Sequence, residues 1–432
     1  MIFFFTDQQR WDTVGLHGNP LDLTPNLDRA ANSGTHLFNS FTPQPLCGPA
    51  RSCLQTGLYA TTTGCFRNDI PLPQEATTLA HRFREADYDT AYIGKWHLAG
   101  SEPVPEAERG GYQYWLASNI IEFTSEAYRT VVYDEDNEPV RLPGYRVDAL
   151  TDAAIRYVDA HRDSPFYLFL SLLEPHHQNQ TDSYPAPDGY AERYAGLWMP
   201  PDLAALGGTA SQHLPGYCGQ IKRIDEAFGR LLEALRSLGL RENTIVVFAS
   251  DHGNHFKTRN DEYKRSPHES SIRVPVVLLG PGFWDGGRVE QLVSLLDLPP
   301  TLLEAAGLPV PDELHGRSVL PLLNGKLVEG WPEEVFVQIS ESQVGRAIRT
   351  SRWKYCVVAP EADPKEDPTA ERYVEDGLYD LKADPYELYN LAGLRSHRDV
   401  AQALKQRLIS RMVEIGEPKP NIEPSMSSAS PT

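Results

Sequence analysis

The chain has 432 residues, of which 40 are basic and 59 acidic, giving a formal net charge of −19 at pH 7. An acidic surface repels phosphate backbones and anionic lipid, which excludes nucleic acid and membrane as partners while leaving room for a small anion in a locally basic pocket. Hydrophobic residues at 41% and charged residues at 23% are ordinary for a globular protein, and the length predicts a large α/β unit with a smaller companion.

The first element in chain order is the apolar run 2–5. It lacks a basic leader and runs straight into Thr6-Asp7, so it reads as a buried strand rather than a signal peptide. On that reading the chain is cytoplasmic as written, and periplasmic or secreted if a leader precedes it. No apolar run reaches the roughly 20 residues of a membrane span. A helix is predicted over 77–87, with Leu79, Phe83 and Ala86 at helical spacing, and a strand over 90–93 before Lys95. A helix over 150–161 precedes the strand 166–173, which ends before His176. The helix 216–238, with Ile221, Ile224, Phe228, Leu231 and Leu235 on one stripe, precedes the strand 244–249 before Asp251. A strand over 276–279 and a short helix over 301–306 follow. Alternating strands and helices predict a doubly wound α/β fold, with a large, mostly parallel sheet flanked by helices. Ligands of such sheets gather at the carboxyl ends of strands, so Asp7, Lys95, His176 and Asp251 are expected to share one site.

From residue 334 the texture changes to short strands (334–339, 347–350, 354–358, 378–380) and a closing helix over 399–414. This predicts a catalytic unit over 1–325 and a C-terminal α+β subdomain over 326–417 with a short antiparallel sheet. A Pro/Ser-rich tail over 418–432 is expected to have no core of its own. Five scattered cysteines do not make a disulfide framework. Reduced, buried thiols are expected, with a Cys53–Cys65 bridge as the alternative. His17, His36, His81, His161 and His213 are read as surface or packing residues. The segments 102–122 and 179–207 are candidate specificity loops.

Six short segments carry the chemistry. They are Cys47-Gly-Pro49-Ala-Arg51 closed by Thr56-Gly57, the strand-end pairs Asp7-Gln8 and Asp251-His252, Gly94-Lys95-Trp96-His97, Pro175-His176-His177, and Lys264 ahead of His268-Glu269. Together, across residues 2–325, they resemble the type I, formylglycine-dependent sulfatases of the alkaline phosphatase superfamily. A weaker resemblance continues through Leu378-Tyr379-Asp380-Leu381 and Asp384-Pro385-Tyr386-Glu387. The resemblance implies a sulfuric ester hydrolase, releasing inorganic sulfate and an alcohol. Cys47 would be oxidised to formylglycine by a formylglycine-generating enzyme, and its hydrate would attack sulfur. Arg51 would steady the hydrate, and His97 would hydrogen-bond it. Lys95, Lys264 and His176 would contact sulfate, with His176 or His177 protonating the leaving oxygen near its intrinsic pKa of about 6.5.

Asp7, Gln8, Asp251 and His252 would hold one divalent metal. Ca2+ is the expected ion, with Mg2+, Mn2+ and Zn2+ left open because His252 adds a nitrogen donor. His268 stands where the family has another aromatic. The expected substrate is a small sulfated saccharide. Two rivals stand beside this reading: a phosphonate monoester or phosphodiester hydrolase of the same superfamily, and a non-catalytic sulfoglycan-binding relative whose Cys47 stays unmodified.

Overall fold

Apolar runs that do not alternate with polar residues suit strands covered on both faces. The computed structural model describes residues 1–326 and 328–425. Among them, ten strands form the large sheet: β1 (Ile2–Thr6), β2 (Thr35–Phe41), β3 (Asp89–Lys95), β4 (Tyr114–Ser118), β5 (Thr130–Tyr133), β6 (Pro139–Leu142), β7 (Phe166–Ser171), β8 (Val246–Ser250), β9 (Val276–Leu279) and β10 (Gly287–Ser294). Their order is β10-β2-β9-β8-β1-β7-β3-β4-β5-β6. The central five, β8, β1, β7, β3 and β4, run parallel. β9 is antiparallel to both of its neighbours, as are β5 and β6 at the far edge.

β1 illustrates the double burial. Phe3 and Phe5 face one side with Tyr92, Trp115 and Phe169, under the helices Leu79–Glu85 and Leu298–Ala305. Ile2 and Phe4 face the other side with Leu168, Leu170 and Phe248, under the helices Arg146–Ala160 and Ala210–Ser237. Gly94 in β3 has φ +109°, and a Cβ there would lie 1.9 Å from the Ser171 carbonyl oxygen, so the approach of β3 to β7 requires glycine. Two helices begin earlier than the sequence pattern suggests. Ala210–Ser237 starts six residues before the helix expected from residue 216 and continues through Pro215 in its second turn. Arg146–Ala160 gains a first turn whose Arg146 is buried against Glu174 at 2.9 Å.

The second sheet comprises β11 (Glu334–Ile339), β12 (Val344–Thr350), β13 (Trp353–Ala359), β14 (Arg372–Asp380) and β15 (Asn421–Glu423), in that order. The first four are antiparallel and β15 joins β14 in parallel. The stretch expected to be a coreless tail thus begins with a paired strand whose Ile422 is buried, because β14 presents a free edge for it. The rest of that tail, 426–432, lies outside the described residues. One face of this sheet packs on the helix Arg398–Glu414. The other meets Phe41, Ile272 and Leu292 of the large unit through Val335, Val337, Ile339, Ala347 and Cys356. All five cysteines are free and buried, so the Cys53–Cys65 bridge is not formed. Among the described residues no helix is long and apolar enough to cross a membrane.

Beside that apolar contact lies a buried ionic cluster. Glu269 meets Arg349 at 3.1 Å and Lys354 at 2.9 Å, Lys354 meets Glu387 at 2.7 Å, and Glu387 accepts the Glu269 N–H at 2.6 Å. Removing one charge from such a cluster leaves the others buried without compensation. Lys354→Met is therefore expected to cost about 3–5 kcal/mol in a chemical denaturation experiment. A change below about 1 kcal/mol would mean that the apolar contact alone holds the second sheet in place.

Candidate active site

Strand register brings the first pair of groups together. Thr6 pairs with Ser250 across β1 and β8, so the next residues, Asp7 and Asp251, leave the sheet side by side. Gly94 pairs with Ser171 across β3 and β7, which sets Lys95 and the segment leading to His176 on the same edge. Above this edge stands the helix Cys47–Thr56, with Cys47 as its first residue. Pro49 sits in the first turn, where its missing N–H has no intrahelical partner to lose. Arg51, one turn after Cys47, shares its face. This geometry accounts for the Cys-x-Pro-x-Arg spacing.

The Arg51 guanidinium donates to Asp7 Oδ2 at 3.0 Å, Asp251 Oδ2 at 3.3 Å, Ser171 Oγ at 2.7 Å and the Lys95 carbonyl at 2.9 Å. Lys95 Nζ sits between Asp7 Oδ2 at 2.9 Å and Glu122 Oε1 at 2.8 Å. Lys264 Nζ donates to Cys47 Sγ at 2.8 Å and lies 3.0 Å from His176 Nε2. Its loop is fixed at the backbone, where the Lys264 carbonyl accepts from His255 Nε2 at 2.9 Å and Asn260 Nδ2 at 3.2 Å. His176 Nδ1 donates to the His177 carbonyl at 2.6 Å, leaving Nε2 free to accept from Lys264.

The carboxylates have two differently occupied ends. Their Oδ2 atoms face the fixed cations, while Asp7 Oδ1 lies 3.5 Å from Cys47 Sγ and Asp251 Oδ1 lies 3.5 Å from His252 Nε2. His252 Nδ1 donates to the Gly253 carbonyl at 2.9 Å, which leaves the Nε2 lone pair pointing inward, 3.3 Å from Sγ. Donor atoms of Asp7, Cys47, Asp251 and His252 all lie within 4.8 Å of one another. Gln8 is held at φ +70°, its N–H donating to Asp251 Oδ1 at 3.0 Å and its carbonyl accepting from Tyr217 Oη at 2.7 Å. Its side-chain Oε1 and Nε2 are buried without a partner among the described residues. A buried amide left unpaired is costly, and an oxygen-rich set with one unpaired amide oxygen fits a divalent cation.

Burial works to raise the Asp7 carboxyl, but Lys95, His176 and Arg51 overcome it and hold it well below the usual range. Burial and the charge of Asp7 push Asp251 upward. Burial and Asp7 also raise the Cys47 thiol, but Lys264, Lys95 and His252 outweigh them and bring it down to about 7. His176 is kept neutral by burial first and by Lys264 second. The imidazole near its ordinary pKa that sequence reasoning expected is therefore a neutral acceptor. His177, pushed to about 3 mainly by burial, stacks on His176 and lies tilted against Tyr263, with centroid separations of 4.3 and 4.4 Å.

Of the residues anticipated from sequence, Asp7, Cys47, Arg51, Lys95, His176, Asp251, His252 and Lys264 form one contiguous cluster. His97 lies half-buried beside it at φ +58°, with a buried Nδ1 unpartnered among the described residues, so its expected hydrogen bond to position 47 is not made through that atom. Glu122, Ser171 and Asn68, whose Oδ1 accepts the Gly48 N–H at 3.0 Å, were not anticipated as site residues. A usable signal existed for Glu122. Lys95 lies between apolar neighbours, and a buried ammonium demands a carboxylate.

The chain belongs to the sulfatase family. The family model Sulfatase matches residues 1–308, and the model N-sulphoglucosamine sulphohydrolase, C-terminal, matches residues 261–414. It is 32% identical to an ulvan-active sulfatase of Formosa agariphila, over 96% of this chain and 81% of that one. It is 26% identical to an N-acetylglucosamine-6-O-sulfatase of Bacteroides thetaiotaomicron, over 94% of this chain and 85% of that one. The crystal structure of a sulfatase-family protein from Bacteroides fragilis superposes with a TM-score of 0.84 at 25% identity, covering 97% of this chain and 96% of that one. The protein is accordingly a sulfuric ester hydrolase of the alkaline phosphatase superfamily, a family whose members use formylglycine and a divalent metal.

The other four thiols are all raised by burial. In protein whose Cys47 is unconverted, ultraviolet thiolate absorbance titrated against pH should thus rise in a single step near pH 7. Because Lys264 favours the thiolate, Lys264→Met should move that step upward by roughly one unit or more. An unmoved step would remove Lys264 as the neighbour that tunes position 47.

Proposed function

We propose that this chain hydrolyses a sulfate ester on a small or terminal sulfated saccharide, with position 47 as the nucleophile once Cys47 has become formylglycine. The observation that carries the reading is the meeting of Cys47 Sγ with Lys264 Nζ, His252 Nε2 and Asp7 Oδ1 in one buried cluster. The sulfur marks the place of the formylglycine hydrate, which supplies a nucleophile able to release sulfate afterwards without water attacking a crowded anion. Since Cys47 is 1% exposed, the modifying enzyme has to read its segment before the core closes.

Asp7, Gln8, Asp251 and His252 would hold the cation, which when bound polarises a sulfate oxygen and favours ionised hydroxyl. The oxygen majority among these donors favours Ca2+, and the His252 nitrogen admits Mn2+ or Zn2+. Lys95, already fixed by Asp7 and Glu122, and Lys264 would bind sulfate oxygens. Arg51 keeps the two carboxylates aligned, and His97 closes the wall. Neutral His176 accepts from the Lys264 ammonium, so this pair together would deliver the proton to the departing alkoxide. His177 would fix the His176 tautomer through its carbonyl. A saccharide is supported by the two relatives above, an ulvan-active sulfatase and an N-acetylglucosamine-6-O-sulfatase. An acidic chain favours a small or terminal substrate over a long polyanion.

The inward Nε2 of His252 supports a second reading at the same site, hydrolysis of phosphonate monoesters or phosphodiesters. Turnover of an aryl sulfate against an aryl phosphonate ester separates the two. A sulfoglycan-binding protein without turnover would keep Cys47 as a thiol, which intact-mass measurement of the Cys47 peptide detects.

Cys47→Ala should keep its melting temperature and lose sulfate release by on the order of 10⁴-fold or more; turnover at the parent rate would reject the nucleophile. Asp251→Ala should lose bound metal and rate together. Metal content equal to that of the parent, measured by elemental analysis, would remove Asp251 from the ligand set.

A further inference from the structure

A cavity of about 400 Å³ opens where the segment after Glu122 meets the start of β5 and the end of β6. This is within the roughly 300–1,000 Å³ typical of ligand pockets. Its lining joins two aromatics that are unusually open to solvent, Phe123 at 56% and Tyr128 at 51%, with the exposed cations Arg129 and Arg141 and the amide of Gln180. Thr130 also lines it, 1% exposed, with an Oγ1 that has no partner among the described residues. Arg129 shares its charge with Glu126 at 3.4 Å, both exposed, whereas Arg141 has no ion pair among the described residues. On a chain of net charge −19, an aromatic wall carrying an uncompensated arginine is a local reversal of sign.

The cavity is tied to the site by neighbouring elements. Phe123 follows Glu122, the carboxylate that holds Lys95. Gln178, two residues before Gln180 and two after His176, donates to the Glu122 and Ser125 carbonyls at 2.6 and 3.1 Å, so both walls are fixed to the catalytic edge. Thr130 begins β5, which lies two strands from β3 and Lys95, or roughly 10 Å at ordinary strand spacing. That is the reach of a neighbouring sugar in the same molecule.

We infer that this cavity is a second saccharide subsite, which takes the acidic sugar ring next to the sulfated one. An aromatic side chain offers its face to the apolar side of a pyranose, and a guanidinium fork matches a carboxylate or sulfate. The exposed Gln180 amide supplies hydrogen bonds to ring hydroxyls. The inference rests on the saccharide reading above and deepens it, by making the substrate an oligosaccharide with an anionic neighbour.

The test is binding to the Cys47→Ala full chain, which cannot consume the ligand, by calorimetry with a pool of sulfated, uronate-containing oligosaccharides and with a sulfated monosaccharide. Adding Arg141→Ala should weaken oligosaccharide binding about tenfold and Phe123→Ala about fivefold, with monosaccharide binding unchanged. Both residues are exposed, and melting temperatures confirm that the variants fold. If the carboxyl-reduced pool loses its sensitivity to Arg141, the acidic group is a uronate; if it keeps that sensitivity, the group is a second sulfate. Equal oligosaccharide affinity with and without Arg141 and Phe123, or no oligosaccharide binding at all, overturns the subsite. Failure of the saccharide reading itself would appear separately, as no release of sulfate from any sulfated sugar by the unmutated, formylglycine-bearing enzyme.

Discussion

Arg51 bridging Asp7 and Asp251 is the contact on which the rest of the site depends. Two carboxylates leaving adjacent parallel strands are forced together in a water-poor interior, where burial and Asp7 push Asp251 toward the protonated form and Arg51 between their Oδ2 atoms opposes that shift. With Arg51 in place, and Lys95 braced by Glu122, the Oδ1 atoms are left turned inward. The cations Arg51, Lys95 and Lys264 then stand against the carboxyls of Asp7, Asp251 and Glu122. Only Lys264 is held by a sulfur and an imidazole rather than by a carboxylate, which makes it the cation available to an arriving anion.

The fold delivers these groups through strand order rather than through loop length. β8, β1, β7 and β3 are consecutive neighbours, so Asp251, Asp7, His176 and Lys95 come from one continuous edge although they span much of the chain. Two residues along that edge, Gln8 and His97, adopt left-handed backbone that a non-glycine residue avoids. Such strain persists only where the surroundings over-determine it. Gln8 is gripped from both sides by Asp251 and Tyr217, and the His97 N–H donates to the Asn119 carbonyl at 2.7 Å. Pre-set backbone of this kind keeps the donors in place without help from a ligand.

Of the large sheet, β1, β3, β7, β8 and β9 were legible in the sequence because they are uninterrupted apolar runs. β2, β4 and β10 were not, and β4 with its buried Trp115 lies inside the segment 102–122 expected to be a specificity loop. β5 and β6 were not legible either, since an exposed edge such as Pro139–Leu142 carries no such signal. The start of the helix Ala210–Ser237 was hidden behind Pro215, and β15 was hidden by a tail composition that says nothing of the free edge waiting for it. In the site, residues with a short motif around them were readable, because the motif is local geometry, as in the one-turn offset of Arg51 from Cys47. Glu122 and Asn68 serve through contacts across 27 and 20 residues of sequence, and no local pattern announces such partners. The ionic cluster of Glu269, Lys354 and Glu387 was illegible for the same reason, although it fixes the short helix that follows the Lys264 loop.

Proton supply distinguishes this site from one built around a free histidine. An imidazole that is buried and faces an ammonium cannot hold its own proton near neutrality, so in the proposed reaction His176 would act only with Lys264. An arriving sulfate ester changes that balance, because its negative charge offsets Lys264 and favours a shared proton between Nζ and Nε2. The proton is then most available when substrate is bound and least available in the empty pocket. The same coupling favours an anionic group at position 47 while the pocket is empty. In the proposed reaction, the cations that would bind a sulfate also act on the side chain that would attack it, so binding and nucleophile activation would share one set of charges.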